Sequence, residues 1–228
     1  DQMSELFSIQ LQNRQQQGRD GIWLDLPTTT EQVQAALRQI GISSDNPQGL
    51  FISGYFAEEE KRFAIPYNMV LASNVDELNF LASRLETLST GERAELNAAL
   101  QAPQSELSSI GRITDFPENV DYYVHLPEVH GPAQLGDYYL NRSGMVDMPE
   151  EWKGGIDTAQ FGRYVAQQEQ GVFTQYGYLV KSGDVWQKVH EGQPVPEEYR
   201  VLSFPVPEVM RDAANIPPPV QPETEPQK

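Results

Sequence analysis

The sequence predicts an α+β fold in which two sheet-containing segments flank a helical one. Three observations predict it. Leu6–Leu11 alternates with period two, the pattern of a half-buried strand, and Gly21–Pro27 and Leu50–Phe56 read as two further short strands. The period changes to that of a helix over Asp76–Leu100, and strand and helix patterns return after Ile110. On these grounds the expected segments are 3–70, 71–105 and 106–207, followed by a tail at 208–228.

In Leu6–Leu11, Phe7, Ile9 and Leu11 share one face. Pro27 ends the second strand. Thr28 and Glu31 are spaced as a capping box for a helix with Val33, Ala36, Leu37 and Ile40 on its apolar side, and Gly41 is its expected stop. Leu50–Phe56 should complete the sheet against that helix. Leu78, Leu81, Leu85 and Leu88 lie on one face of the next helix. Ser89 and Glu92 open another, so the pair reads as a helical hairpin. Gln101–Ser109 is the expected linker.

Beyond the linker, Asp121–Leu126 alternates as a strand with Tyr122, Val124 and Leu126 on one face. Leu135, Tyr138 and Tyr139 are spaced as a helix that stops near Gly144. Asp157 should cap a helix that ends at Gly171. Phe173–Lys181 and Val185–Val189 are expected to pair as an additional hairpin through Ser182-Gly183-Asp184, and Tyr199–Phe204 is expected as a last strand. From Pro205 the chain is rich in proline and acid, and a disordered or surface-draped tail is expected.

The charge is the main functional clue. With 33 Asp+Glu against 16 Lys+Arg the formal charge is −17. Residues 106–151 carry 9 acids and 2 bases, the highest density of the chain. Such a chain is repelled by phosphates, so neither nucleic acid nor an anionic membrane is an expected direct partner. No window approaches the ~18 apolar residues of a membrane span. The start of the chain has neither a basic nor an apolar leader region, and cysteine is absent. Both features fit a cytoplasmic protein.

Signatures of catalysis are missing. There is no G-x-S-x-G, P-loop, G-x-G-x-x-G or H-E-x-x-H motif. His125, Glu128 and His130 are close in sequence, yet Pro127 blocks a helical ligand spacing and another ligand would have to be imported. No cofactor or metal is therefore expected. Trp23, Trp152 and Trp186 are expected in core or edge packing rather than as sugar or base platforms. A carboxylate-dependent hydrolase and an acidic adaptor are the alternatives to the reading that follows.

That reading is electrostatic imitation of DNA. Duplex DNA carries about one charge per 1.7 Å, so 17 uncompensated charges match about 29 Å of duplex. Acids at i and i+4 on a helix lie roughly 6 Å apart, near the phosphate spacing. The expected partner-binding surface comprises Asp25, Glu58, Glu59, Glu60, Asp115, Glu118, Asp121, Glu128, Asp137, Asp147, Glu150 and Glu151.

Gly21–Pro27, Glu77–Ala82, Leu135–Tyr139, Phe161-Gly162-Arg163, Gly171-Val172-Phe173 and Gly177-Tyr178 occur in an order that resembles the ArdA antirestriction proteins of conjugative plasmids and transposons. The resemblance runs over roughly Leu6–Val180. It implies an elongated protomer of three small domains, α/β, helical and α/β, joined as a homodimer through the third. It also implies a non-enzymatic DNA mimic that fills the DNA groove of type I restriction–modification enzymes. Residues 181–228 extend past the usual end, where Lys181, Lys188, Arg200 and Arg211 dilute the charge.

Overall fold

The computed structural model of the protein describes residues 5–16, 18–103 and 105–207. Its first sheet has the order β2-β1-β3, built from β1 (Phe7–Asn13), β2 (Ile22–Leu26) and β3 (Leu50–Phe56), all antiparallel. A bulge at Gln10/Leu11 shifts the register against β3. Phe7, Ile9, Leu11, Leu24 and Leu26 turn inward as the alternation requires. Helix α1 (Thr30–Gln39) adds Val33, Ala36 and Leu37 to the same core. Its cap is Thr29, one residue after the expected Thr28. Thr28 is buried, and its amide donates to Asn79 Oδ1 at 2.8 Å, which removes it from the capping position.

A short α2 (Tyr67–Leu71) leads into α3 (Val75–Leu85) and α4 (Thr90–Gln101). Ser89 and Glu92 form the expected reciprocal capping box. The apolar faces of α3 and α4 merge with the first sheet's core, so Leu78, Leu81, Leu85 and Leu96 belong to the same cluster as Phe7 and Leu37. Ile113, Phe116, Tyr123 and Leu179 extend that cluster into the third segment. Packing thus continues across the expected boundaries near 70 and 105. Each fully buried Leu, Ile or Phe contributes about 1.5–3 kcal/mol to this core.

After α5 (Ile110–Thr114), residues Phe116–Tyr122 form a tight helical turn, and only Tyr123–Leu126 (β4) is strand. Tyr123 faces the core and Val124 faces solvent. Next come α6 (Pro132–Asp137), a widened turn through Arg142, α7 (Glu150–Lys153) and α8 (Thr158–Glu169). The expected strand at Phe173–Lys181 is instead a hairpin of β5 (Val172–Thr174) and β6 (Gly177–Lys181). The sheet order is β4-β6-β5. Gly177 turns the chain at φ +114, and a side chain there would meet the Leu126 carbonyl at 2.4 Å. Val129, Leu135, Ala166 and Tyr178 form a second, smaller core.

The strands expected at Val185–Val189 and Tyr199–Phe204 are not formed. That segment is an extended strap whose backbone bonds to side chains of earlier helices and turns instead of to a sheet edge. Asn79 Nδ2 donates to the Tyr199 carbonyl at 3.0 Å, and Asp76 Oδ1 accepts the Val201 and Leu202 amides at 2.8 Å each. Val201 is buried in the main core. The tail expected at 208–228 lies outside the described residues.

Candidate partner-binding surface

The expected acids come from loops and element ends, where a charged side chain can stay in water. Asp25 lies on the outer face of β2, and Glu58, Glu59 and Glu60 lie on the turn after β3. Asp121 ends the helical turn before β4. Glu128 follows β4, Asp137 ends α6, and Asp147, Glu150 and Glu151 lie at α7. All of these are exposed. Some have basic neighbours: Arg142 is 4.0 Å from Glu128 and 3.9 Å from Asp137, Lys61 is 4.0 Å from Glu58, and Lys153 is 2.9 Å from Glu150. Exposed pairs of this kind contribute roughly 0–1 kcal/mol and hold their charges loosely. Asp25, Glu59, Glu60, Asp121, Asp147 and Glu151 have no ion pair among the described residues.

Asp115 departs from the expectation. It is 0% exposed, and its carboxylate accepts the backbone amides of Val189, His190 and Glu191 at 3.2, 2.7 and 3.1 Å. It is therefore an internal clamp on the strap and presents no charge to a partner. Neighbouring Glu118 is exposed but tied to Arg84, with His190 Nε2 at 3.9 Å. The middle of the acid-dense stretch thus holds a buried carboxylate at Asp115, one tied to Arg84 at Glu118, two near Arg142 at Glu128 and Asp137, and one without an ion pair at Asp121.

Two further acids matter that the sequence pattern does not single out. Burial, with Glu92 and Asp121 nearby, pushes the Glu95 carboxyl up to about 8, and its Oε2 is buried without a hydrogen-bond partner. Its spacing of three from Glu92 on α4 is the one local signal of that crowding. Glu106 lies between Lys181 at 2.8 Å and Arg112 at 3.3 Å, and the Lys181 hydrogen bond holds its carboxyl below the usual range.

The histidine reading does not come together. The His125 ring is 2.7 Å from the Tyr176 carbonyl through Nε2, and burial lowers its pKa, while His130 is exposed. The one group spaced like metal ligands among the described residues is Asp115, Glu118 and His190. There the Asp115 oxygens are occupied by three amides and Glu118 by Arg84. Of the tryptophans, Trp186 packs on the core beside Tyr122. Trp23 and Trp152 are 49% and 66% exposed, so neither is a core residue, and Trp23 packs edge-on against Phe56 on the outer face of the sheet. No helix of the described residues is long and apolar enough to cross a membrane.

Set against known proteins, residues 17–180 match the family model described as antirestriction protein (ArdA). The chain belongs to the ArdA antirestriction family. The match covers most of the chain, including β2, β3, the helical hairpin and nearly all of the second sheet, while β1 lies ahead of it. ArdA proteins are inhibitors rather than enzymes, and membership makes this chain an antirestriction protein whose partner is a restriction enzyme. The strap from Ser182 onward lies beyond the matched residues. Comparison with curated proteins gave no match.

Proposed function

We propose that this ArdA protein imitates duplex DNA and occupies the DNA-binding groove of type I restriction–modification enzymes, shielding incoming mobile DNA. The observation that carries the reading is the set of exposed carboxylates on separate elements, from Asp25 and Glu58–Glu60 through Asp121, Glu128 and Asp137 to Glu150 and Glu151. They stand in a chain of formal charge −17. A groove lined with Lys and Arg attracts such a surface by Coulomb interaction and by release of counterions. Under this reading the protein works in the cytoplasm as a homodimer, and the second protomer lengthens the anionic track.

Inhibition then requires one binding event per enzyme and consumes nothing. Titration of the protein into a type I enzyme should abolish cleavage at a fixed molar ratio, and incubation should leave both partners chemically unchanged. A sub-stoichiometric amount that inactivates all of the enzyme would refute the mimic and favour a catalytic activity.

A further inference from the structure

The open face of the first sheet carries an aromatic pair beside two converging carboxylates. Trp23 on β2 and Phe56 on β3 are 49% and 52% exposed, with ring centroids 6.4 Å apart in an edge-to-face arrangement. They reach each other across Gly54: a Cβ there would fall 2.9 Å from Trp23 Cη2, so the missing side chain lets the indole lie over the central part of the sheet. Asp25 lies two residues from Trp23 on the same face, roughly 7 Å along the strand. Ser8 pairs with both Asp25 and Phe56 in the ladder. Its hydroxyl is 2.7 Å from Asp25 Oδ1 and 2.9 Å from Glu5 Oε1. A hydroxyl has one proton, so it donates to one carboxylate at a time and leaves two anions close together. Neither has an ion pair among the described residues.

We infer that this face is an arginine-binding anchor for a protein with a basic surface, and, resting on the function proposed above, that it takes an arginine of the restriction enzyme's DNA groove. The charge complementarity is specific in kind. A guanidinium can stack on an aromatic face within about 6 Å while its N–H fork engages carboxylates, whereas a lysine ammonium offers only a point charge. Carboxylates alone imitate phosphates. The rings add an apolar contact that salt does not screen, in the manner of an aromatic hot spot.

The test uses the full chain and an oligo-arginine peptide, with an oligo-lysine peptide of equal length for comparison. The Trp23 indole N–H resonance should shift with oligo-arginine at concentrations about tenfold lower than with oligo-lysine, and Asp25→Asn should weaken the response without altering the thermal melt. Trp23→Ala with Phe56→Ala should then reduce displacement of DNA from a type I methyltransferase core about tenfold, and Val185→Ser, at an exposed site on the strap, should leave it unchanged. An indole that ignores oligo-arginine, or equal responses to the two peptides, would overturn the proposal. So would a change in the association state of the free chain on Trp23→Ala, because the face would then serve a second copy. If the indole responds while the wild-type chain fails to displace DNA, the anchor stands and the DNA-mimic reading falls.

Discussion

Asp115 holds His190 by its backbone: Oδ1 accepts the His190 amide at 2.7 Å, from 75 residues away in the chain. The amides of Val189 and Glu191 bond to Oδ2 of the same carboxylate. Asn119, one turn further, completes the clamp on Gln187. Its Oδ1 accepts the Gln187 amide at 2.6 Å and its Nδ2 donates to the Gln187 carbonyl at 2.9 Å. The strap is thus fixed by helix and turn side chains that take the place of a neighbouring strand.

Removal of that clamp should cost stability rather than inhibition. Asp115→Ala leaves three amides without an acceptor and should lower unfolding free energy by about 3 kcal/mol, while Asp115→Asn keeps one acceptor oxygen and should cost less. Chemical denaturation measures both. In inhibition assays on the folded variants, the salt dependence should equal that of wild type, because Asp115 contributes no exposed charge. A reduced salt dependence would place Asp115 on the binding surface after all.

The crossing of α6 and α8 depends on two glycines. A Cβ at Gly136 would lie 1.9 Å from the Thr158 carbonyl oxygen, and one at Gly162 would lie 1.8 Å from that of Pro132. Both obstacles are backbone, which cannot swing aside. Gly136→Ala or Gly162→Ala should therefore destabilise by about 1–3 kcal/mol or more, read as a lowered thermal midpoint. Unchanged melting of both variants would contradict the crossing.

Glu95 gives the fold a pH dependence of known sign. Its folded-state pKa, raised to about 8 chiefly by burial, exceeds that of an ordinary carboxyl. Between about pH 4.5 and 8 the unfolded chain therefore releases a proton that the folded chain keeps, and this group's contribution to stability falls as pH rises through that window. Glu95→Gln should remove the decline, raising the thermal midpoint by a few degrees at pH 8 and having little effect at pH 4.5. Melting curves across that range check it; an equal shift at both ends would assign the effect to packing alone.

Surface charge should act collectively. Asp121→Asn or Asp137→Asn alone should change inhibition less than about threefold, within the small range of an exposed charge. Joint neutralisation of Glu59, Glu60, Asp121, Glu128 and Asp137 should weaken it progressively and reduce its salt dependence. A dose–response series over the variants measures this. A single exposed acid whose loss abolishes inhibition in a folded protein would point to a localised site.

What the sequence made legible was local. The Ser89–Glu92 capping box, the Asp157 cap and the Gly41 stop each follow from residues within one turn of each other, and all are present. Leu50–Phe56 reads correctly as a strand from its short run of aromatic and β-branched residues. The strap does not, since Val201 and Trp186 look like strand residues but pack sideways into the main core. The strap's backbone partners lie far back in the chain, at Asp76, Asn79, Asp115 and Asn119. The same gap explains Asp115: composition counts a carboxylate but cannot tell a solvated one from one enclosed by amides. The exposed rings of Trp23 and Phe56 depend on their meeting across Gly54, a relationship set by strand register and the bulge at Gln10/Leu11.

The most direct test of DNA imitation is competition. A labelled duplex bound to a type I methyltransferase core is titrated with this protein over a range of salt concentrations, and displacement is followed by fluorescence anisotropy. Imitation predicts mutually exclusive binding, with log affinity falling linearly against log salt at a slope on the order of −0.9 per phosphate-like contact. Inhibition of cleavage while the duplex stays bound, or binding that ignores salt, would contradict it.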